Sequence, residues 1–194
     1  CIRDRPIHEE IAPHPVSPYG ASKLAGEGYC SAYAKSFGID TVALRFGNVY
    51  GPRSGHKTSV VAKFIKLALD GQPLSVYGDG TQTRDYIFVE DLIDAVIKAA
   101  TVDGVGGELF QIATHRETTI LELLEALRLV FADAGIAMPE VRHEARRAGD
   151  VLRNYSDTTK ARKQLGWVAE TTLADGLRRT LADLQARRTP ALAD

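Results

Sequence analysis

Short β-branched runs alternate along this chain with longer stretches that place apolar residues three and four apart, and few architectures satisfy that alternation. "DTVALRF" at 40–46 reads as a short buried strand, and "GNVYGPRSGH" at 47–56 as the loop after it. Residues 58–69 place Val60, Val61, Phe64, Ile65, Leu67 and Ala68 at helical spacing and are closed by Gly71. "LSVYGDG" and "RDYIFV" read as two strands around a polar turn, "VEDLIDAVIKAA" as a helix and "GELFQIA" as a strand. "TTILELLEALRLVF" has the clearest amphipathic pattern, with Thr118 or Thr119 as its cap. "EVRHEA" reads as an edge strand, "SDTTKARKQLGW" as a short helix ended by Gly166, and 172–187 as a final helix. Strands alternating with helices predict an α/β fold with a partly parallel sheet.

Composition narrows the class of partner. The chain has 194 residues, room for one sizeable domain or two small ones. Its 24 Lys and Arg against 25 Asp and Glu give no positive excess, so neither a nucleic acid nor a membrane surface is expected. The apolar runs are too short to span a bilayer, and "CIRDRPIHEE" lacks the basic-then-apolar order of a signal peptide. Cys1 and Cys30 form no disulfide framework or metal spacing, which points to the cytoplasm. His115 and His143 have no paired ligands nearby in sequence, so no metal is expected.

One segment carries chemistry. In "PVSPYGASKLAGEGY" (15–29), Ser17 reads as an N-cap and Pro18 as the first residue of a helix running to about Ser36 and stopping near Gly38. Tyr19 and Lys23, four apart, share a face of that helix. A free phenol, with a pKa of about 10, is a poor base at neutral pH, and a neighbouring cation pulls it towards the working range. The spacing alone does not separate such a pair from two exposed side chains. Gly20, Ala21, Ala25, Gly26 and Gly28 make the same helix very small, although glycine costs about 1 kcal/mol in a helix interior. This predicts close approach of a cofactor or a second helix. The next strand ends in "RFGNVYGPR", and in α/β sheets ligands bind beyond the carboxyl ends of strands.

"PVSPYGASKLAGE", "LRFGNVYGPR", "VYGDGTQTRDYIFVEDL" and "RRAGDV", in this order, closely resemble the extended short-chain dehydrogenase/reductases. Within them the chain is similar to the NAD-dependent nucleotide-sugar epimerases of the UDP-glucose 4-epimerase group. The resemblance implies epimerisation at C4 of a UDP-hexose through a 4-keto sugar, with NAD retained as a catalyst. Tyr19 would take the sugar 4-hydroxyl proton, and Lys23 would tune Tyr19 and bind the nicotinamide ribose. Phe46 would lie beside the nicotinamide. Asn48 would contact the nucleotide-sugar, with Val60, Val76 and Tyr77 lining the uracil site. Arg84 and Arg147 would clamp the diphosphate, a role that suits the guanidinium fork. Asp150 would contact the ribose or orient Arg147. Asn154 would sit beside the sugar C2 substituent and leave room for an N-acetyl group. The helix at 18–36 would pair two copies into a homodimer. Another nucleotide-sugar dehydratase or reductase, or an inactive remnant that only folds and oligomerises, is the alternative.

No Gly-x-x-Gly-x-x-Gly turn precedes the tyrosine helix. The expectation is therefore the C-terminal portion only of an extended Rossmann-type, doubly wound α/β fold, with its N-terminal glycine-rich half absent. Residues 1–52 and 84–113 would belong to the NAD-binding domain. Residues 53–83 and 114–194 would form a small α/β substrate-binding domain. On that reading the chain alone lacks epimerase activity.

Overall fold

A computed structural model describes residues 6–146 and 151–188. Ile7 bridges Ser156, so the chain enters alongside a segment far away in sequence. Helix α1 (Pro18–Phe37) begins at Ser17, whose hydroxyl accepts the Gly20 N–H, and Pro18 occupies the first helical position. It stops at Gly38, whose φ of 63° is a left-handed value that glycine adopts without strain. None of its residues is buried.

Strand β1 (Ala43–Phe46) follows, then β2 (Asn48–Tyr50), α2 (Val60–Leu69) and β3 (Leu74–Tyr77). After β4 (Thr83–Arg84) and β5 (Tyr86–Phe88) come α3 (Val89–Thr101) and β6 (Leu109–Ile112). The chain continues through β7 (Thr118–Thr119), α4 (Ile120–Asp133), β8 (Val141–Glu144), α5 (Thr159–Gln164) and α6 (Leu173–Ala186). The strands pair as β1 with β6, β2 with β5 and β3 with β8, all parallel, and β4 with β7 antiparallel.

Two sequence expectations change. Asn48–Tyr50, read as loop, is a strand, because it finds Tyr86–Phe88 beside it in parallel register. "LSVYGDG" and "RDYIFV" do not pair with each other, since β3 takes β8 and β5 takes β2. The "EVRHEA" strand is held by that parallel ladder to β3.

Two apolar clusters form the interior. The larger packs Val61, Phe64 and Ile65 of α2 against Leu123, Leu127 and Phe131 of α4 and Leu177, Leu181 and Leu184 of α6. Spacings of three and four put each set on one helix face. Of the two expected caps, Thr118 or Thr119, it is Thr119 that caps α4, in a reciprocal capping box with Glu122. The smaller cluster packs Ala95 and Ala99 of α3 with Phe110 and Ile112 of β6, and with Ala161, Leu165 and Trp167. The Trp167 indole N–H donates to the Asp91 carbonyl at 2.9 Å. Among the described residues no helix is long and apolar enough to cross a membrane.

Candidate active site

Between the β2–β5 pair, the start of α2 and strand β3 lies a cavity of about 270 Å³. Asn48, Val60, Val76, Tyr77 and Arg84 all line it, although 36 residues of chain separate the first from the last. Val76 belongs to the larger core, while Tyr77, the next residue along β3, faces the opposite way. Among the described residues, Arg84 is the one charged side chain in the lining. Its Nη1 donates to the Val151 carbonyl at 2.6 Å, which ties it to the start of the 151–158 segment. The amino end of α2 opens on the same space; its N-cap, Ser59, makes no side-chain cap hydrogen bond among the described residues, and the positive end of the helix dipole suits an anion. Arg147 and Asp150 lie outside the described residues.

Sequence reading missed Ser59, Phe64, Ser75, Gln82, Tyr86 and Ile120, which complete much of the lining. Tyr86 stands opposite Asn48 in the parallel ladder, a pairing invisible while 48–50 was read as loop. Its side chain is only 5% exposed, and its hydroxyl has no hydrogen-bond partner among the described residues. Burial holds that phenol above the ordinary tyrosine range. Gln82 ties the cavity floor together by donating its side-chain amide to the Tyr77 carbonyl at 2.8 Å.

Directly behind the lining sits Asp85, 1% exposed. It accepts from the Thr114 N–H at 2.8 Å, the Thr114 hydroxyl at 2.6 Å and the Ser156 N–H at 3.3 Å. Desolvation pushes its carboxyl above the usual range, opposed by these hydrogen bonds. Asn154 does not line the cavity; its N–H donates to the Thr83 hydroxyl at 3.3 Å. Glu117 accepts from that same hydroxyl and takes a bidentate pair from Arg153, which holds its carboxyl below the usual range.

Tyr19, Lys23 and Phe46 lie apart from this cavity lining. The Lys23 ammonium sits 5.2 Å from the centroid of the Tyr19 ring, so the predicted shared face is present. Tyr19 is 72% exposed and Phe46 58% exposed. Among the described residues no close approach is made at Gly26 or Gly28, where a Cβ would meet nothing within 4 Å, whereas a Cβ at Gly20 would lie 3.4 Å from Pro15 Cβ. No group of three or more His, Cys, Asp or Glu side chains able to hold a metal occurs among the described residues.

Parallel strand pairs flanked by helices, with a polar-edged cavity beside them, define an α/β protein of Rossmann type with a ligand-binding site. The chain belongs to the NAD dependent epimerase/dehydratase family, whose sequence model matches residues 3–113. It is 38% identical over 178 residues to the UDP-glucose 4-epimerase of Mycolicibacterium smegmatis, covering 91% of this chain and 55% of that protein. It is 35% identical over 184 residues to the dTDP-glucose 4,6-dehydratase of Neisseria meningitidis, covering 90% of this chain and 51% of that protein. The crystal structure of UDP-glucose 4-epimerase with UDP-glucose from Thermotoga maritima superimposes with a TM-score of 0.87 at 34% identity, over 97% of this chain and 60% of that one.

These matches correct two expectations. The reading as a C-terminal portion only, and as a fold whose N-terminal Rossmann half is absent, does not stand. The family's own sequence model is matched from residue 3, and the solved fold is followed over nearly all of this chain. The expectation of inactivity rested on that reading and is replaced by the assay proposed below. The chain spans about half the length of the curated relatives it matches.

Proposed function

We propose that this protein is an NAD-dependent nucleotide-sugar 4-epimerase acting on a UDP-hexose. The observation that carries the reading is the cavity that gathers Asn48, Val60, Val76, Tyr77 and Arg84 from four separate elements. The Arg84 guanidinium and a helix amino end beside apolar, amide and hydroxyl side chains suit a nucleoside diphosphate. Arg84, with Arg147, holds the diphosphate; Asn48 contacts the nucleotide-sugar, and Val60, Val76 and Tyr77 flank the base. Asp150 contacts the ribose or orients Arg147. Asn154, small beside the sugar, leaves room for an N-acetyl group.

The donor set at the start of α1 suits NAD: an exposed phenol and an exposed ammonium on one face, and an exposed Phe46 ring at the end of β1. Lys23 binds the nicotinamide ribose and Phe46 borders the ring. NAD, when bound, supplies the acceptor and donor of hydride at the sugar carbon. Tyr19 Oη takes the proton of the sugar 4-hydroxyl as the ketone forms and returns it to the ketone oxygen when C4 receives hydride on its other face. Lys23, the cation beside it, favours the charged form of the phenol during that exchange.

Incubation with NAD and UDP-galactose is expected to yield UDP-glucose, and Tyr19→Phe to lower turnover by about 10²–10⁴-fold with UDP affinity unchanged. Equal turnover by the variant would remove Tyr19 from the reaction. The kinship with the dTDP-glucose 4,6-dehydratase favours dehydration as the second reading, recognised by a product lighter by one water. Pairing of two copies through α1 is supported by the exposure of Tyr29, Tyr33 and Phe37 on a helix that buries nothing, and light scattering tests it.

A further inference from the structure

Helix α1 poses a mechanical problem. It buries no residue, yet the reaction proposed above, on which this inference rests, needs its Tyr19 and Lys23 at a fixed place relative to Phe46 and Asn48. Glu27 is the next residue on the Tyr19–Lys23 stripe, again four positions on. Both its carboxylate oxygens are taken by Arg45 of β1: Arg45 Nε donates to Oε1 at 2.7 Å and Nη2 to Oε2 at 2.6 Å. The pair is mostly withdrawn from solvent, with side chains 24% and 21% exposed. Among the described residues, no hydrogen bond or ion pair from residues 18–26 reaches the sheet, so this is the polar tie nearest the tyrosine. At about 1.5 Å per residue, about 12 Å of helix separates Glu27 from Tyr19.

The charge of Glu9, on the segment that leads into α1, also favours the Arg45 cation, after the larger effect of Glu27. Glu9 accepts the backbone N–H of Gln111 at 2.7 Å, and Gln111 is the register partner of Arg45 across the β1–β6 ladder. One row of the sheet therefore receives two carboxylates, one from before the helix and one from within it. The three residues after Arg45 are Phe46, Gly47 and Asn48.

We propose that Glu27 and Arg45 are positioning residues: their two-point bond sets the rotation and axial position of α1 on the sheet, and so the placement of Tyr19 and Lys23 over the Phe46–Asn48 turn. Two parallel hydrogen bonds between planar groups fix orientation as well as distance, which a single ammonium does not. A displacement of about 1 Å at a reacting group costs on the order of 10²-fold in rate.

The test uses Glu27→Gln and Arg45→Lys, the second of which keeps the charge and removes the fork. Both are expected to lower kcat by about 10²-fold with KM for the UDP-sugar unchanged, because the cavity residues lie on other elements. Wild-type kcat in Arg45→Lys, or a rise in KM matching the fall in kcat, would overturn the proposal. Peptide-resolved hydrogen exchange without substrate gives an independent reading. Exchange over 18–30 is expected to rise at least about tenfold in both variants, with α2 and α4 unchanged. Unchanged exchange in α1, or an equal rise in all three helices, would overturn it. If the wild type turns over no UDP-sugar, the proposed reaction fails while the exchange result still decides whether this pair holds α1.

Discussion

Replacing Tyr86 by Phe removes a hydroxyl that is buried and unpartnered among the described residues. A buried polar group without a partner costs about 1–3 kcal/mol in lost hydration. The ring of Phe fills the same place beside Asn48, so the loss is a few atom contacts worth about 0.1–0.2 kcal/mol each. The ligand-free variant is therefore expected to be more stable by about 1 kcal/mol, which raises Tm by about 2–4 °C at this chain length. Urea titration followed by Trp167 fluorescence reads this directly, since Trp167 is the sole tryptophan and fully buried. Affinity for UDP should move the other way. A hydroxyl lining the cavity would find its partner in the ligand, and a lost hydrogen bond of about 0.5–1.5 kcal/mol weakens binding by roughly 2- to 13-fold. Calorimetric titration measures it. A variant less stable than the wild type would show that the hydroxyl is already satisfied and refute the argument; unchanged UDP affinity would remove Tyr86 from the ligand's contacts.

Arg84→Ala should cost about 1.5–3 kcal/mol of UDP affinity, the range for a charge-assisted hydrogen bond, and equal affinity would place the diphosphate elsewhere. Gly176→Ala should destabilise although alanine is the better helix former: a Cβ there overlaps the Tyr50 hydroxyl and lies 2.9 Å from the Phe88 ring. Overpacking of about 1–3 kcal/mol outweighs a propensity gain of about 1 kcal/mol, and a denaturant midpoint equal to or above the wild type's would contradict it. Asp85→Asn should change the pH dependence of stability. Burial raises the native carboxyl pKa of Asp85, so the folded state holds its proton longer than the unfolded one. Its contribution to stability is then present below the unfolded value of about 3.9 and falls as pH rises through the raised native value. The variant, measured by unfolding across that window, should lack this fall.

Much of the local architecture is legible in the chain because its causes are local. Ser17, Pro18 and Gly38 bound α1, and Thr119 with Glu122 opens α4, through contacts spanning three or four residues. The motif residues are a different matter. Tyr19 and Lys23 are adjacent because the helix period makes them so, whereas Asn48, Val76 and Arg84 share a cavity only after β2, β3 and β4 have been placed. Asn154 is held through its backbone N–H, which donates to the Thr83 hydroxyl 71 residues away in sequence.

By itself, the amino-acid sequence determined where helices begin and end, which of their faces are apolar, and which residue types recur in family order. Tertiary structure alone decided that 48–50 is a strand, that β3 pairs with β8 and not with its neighbour, and that Tyr86 faces the cavity with a hydroxyl that has no partner among the described residues. It also decided that Glu27 meets Arg45. The physical reason is range. Caps and periodicity depend on bonds a few residues long, but strand pairing, burial and ion pairing between α1 and β1 depend on partners 18 or more residues away, whose choice is made by the packing of the whole.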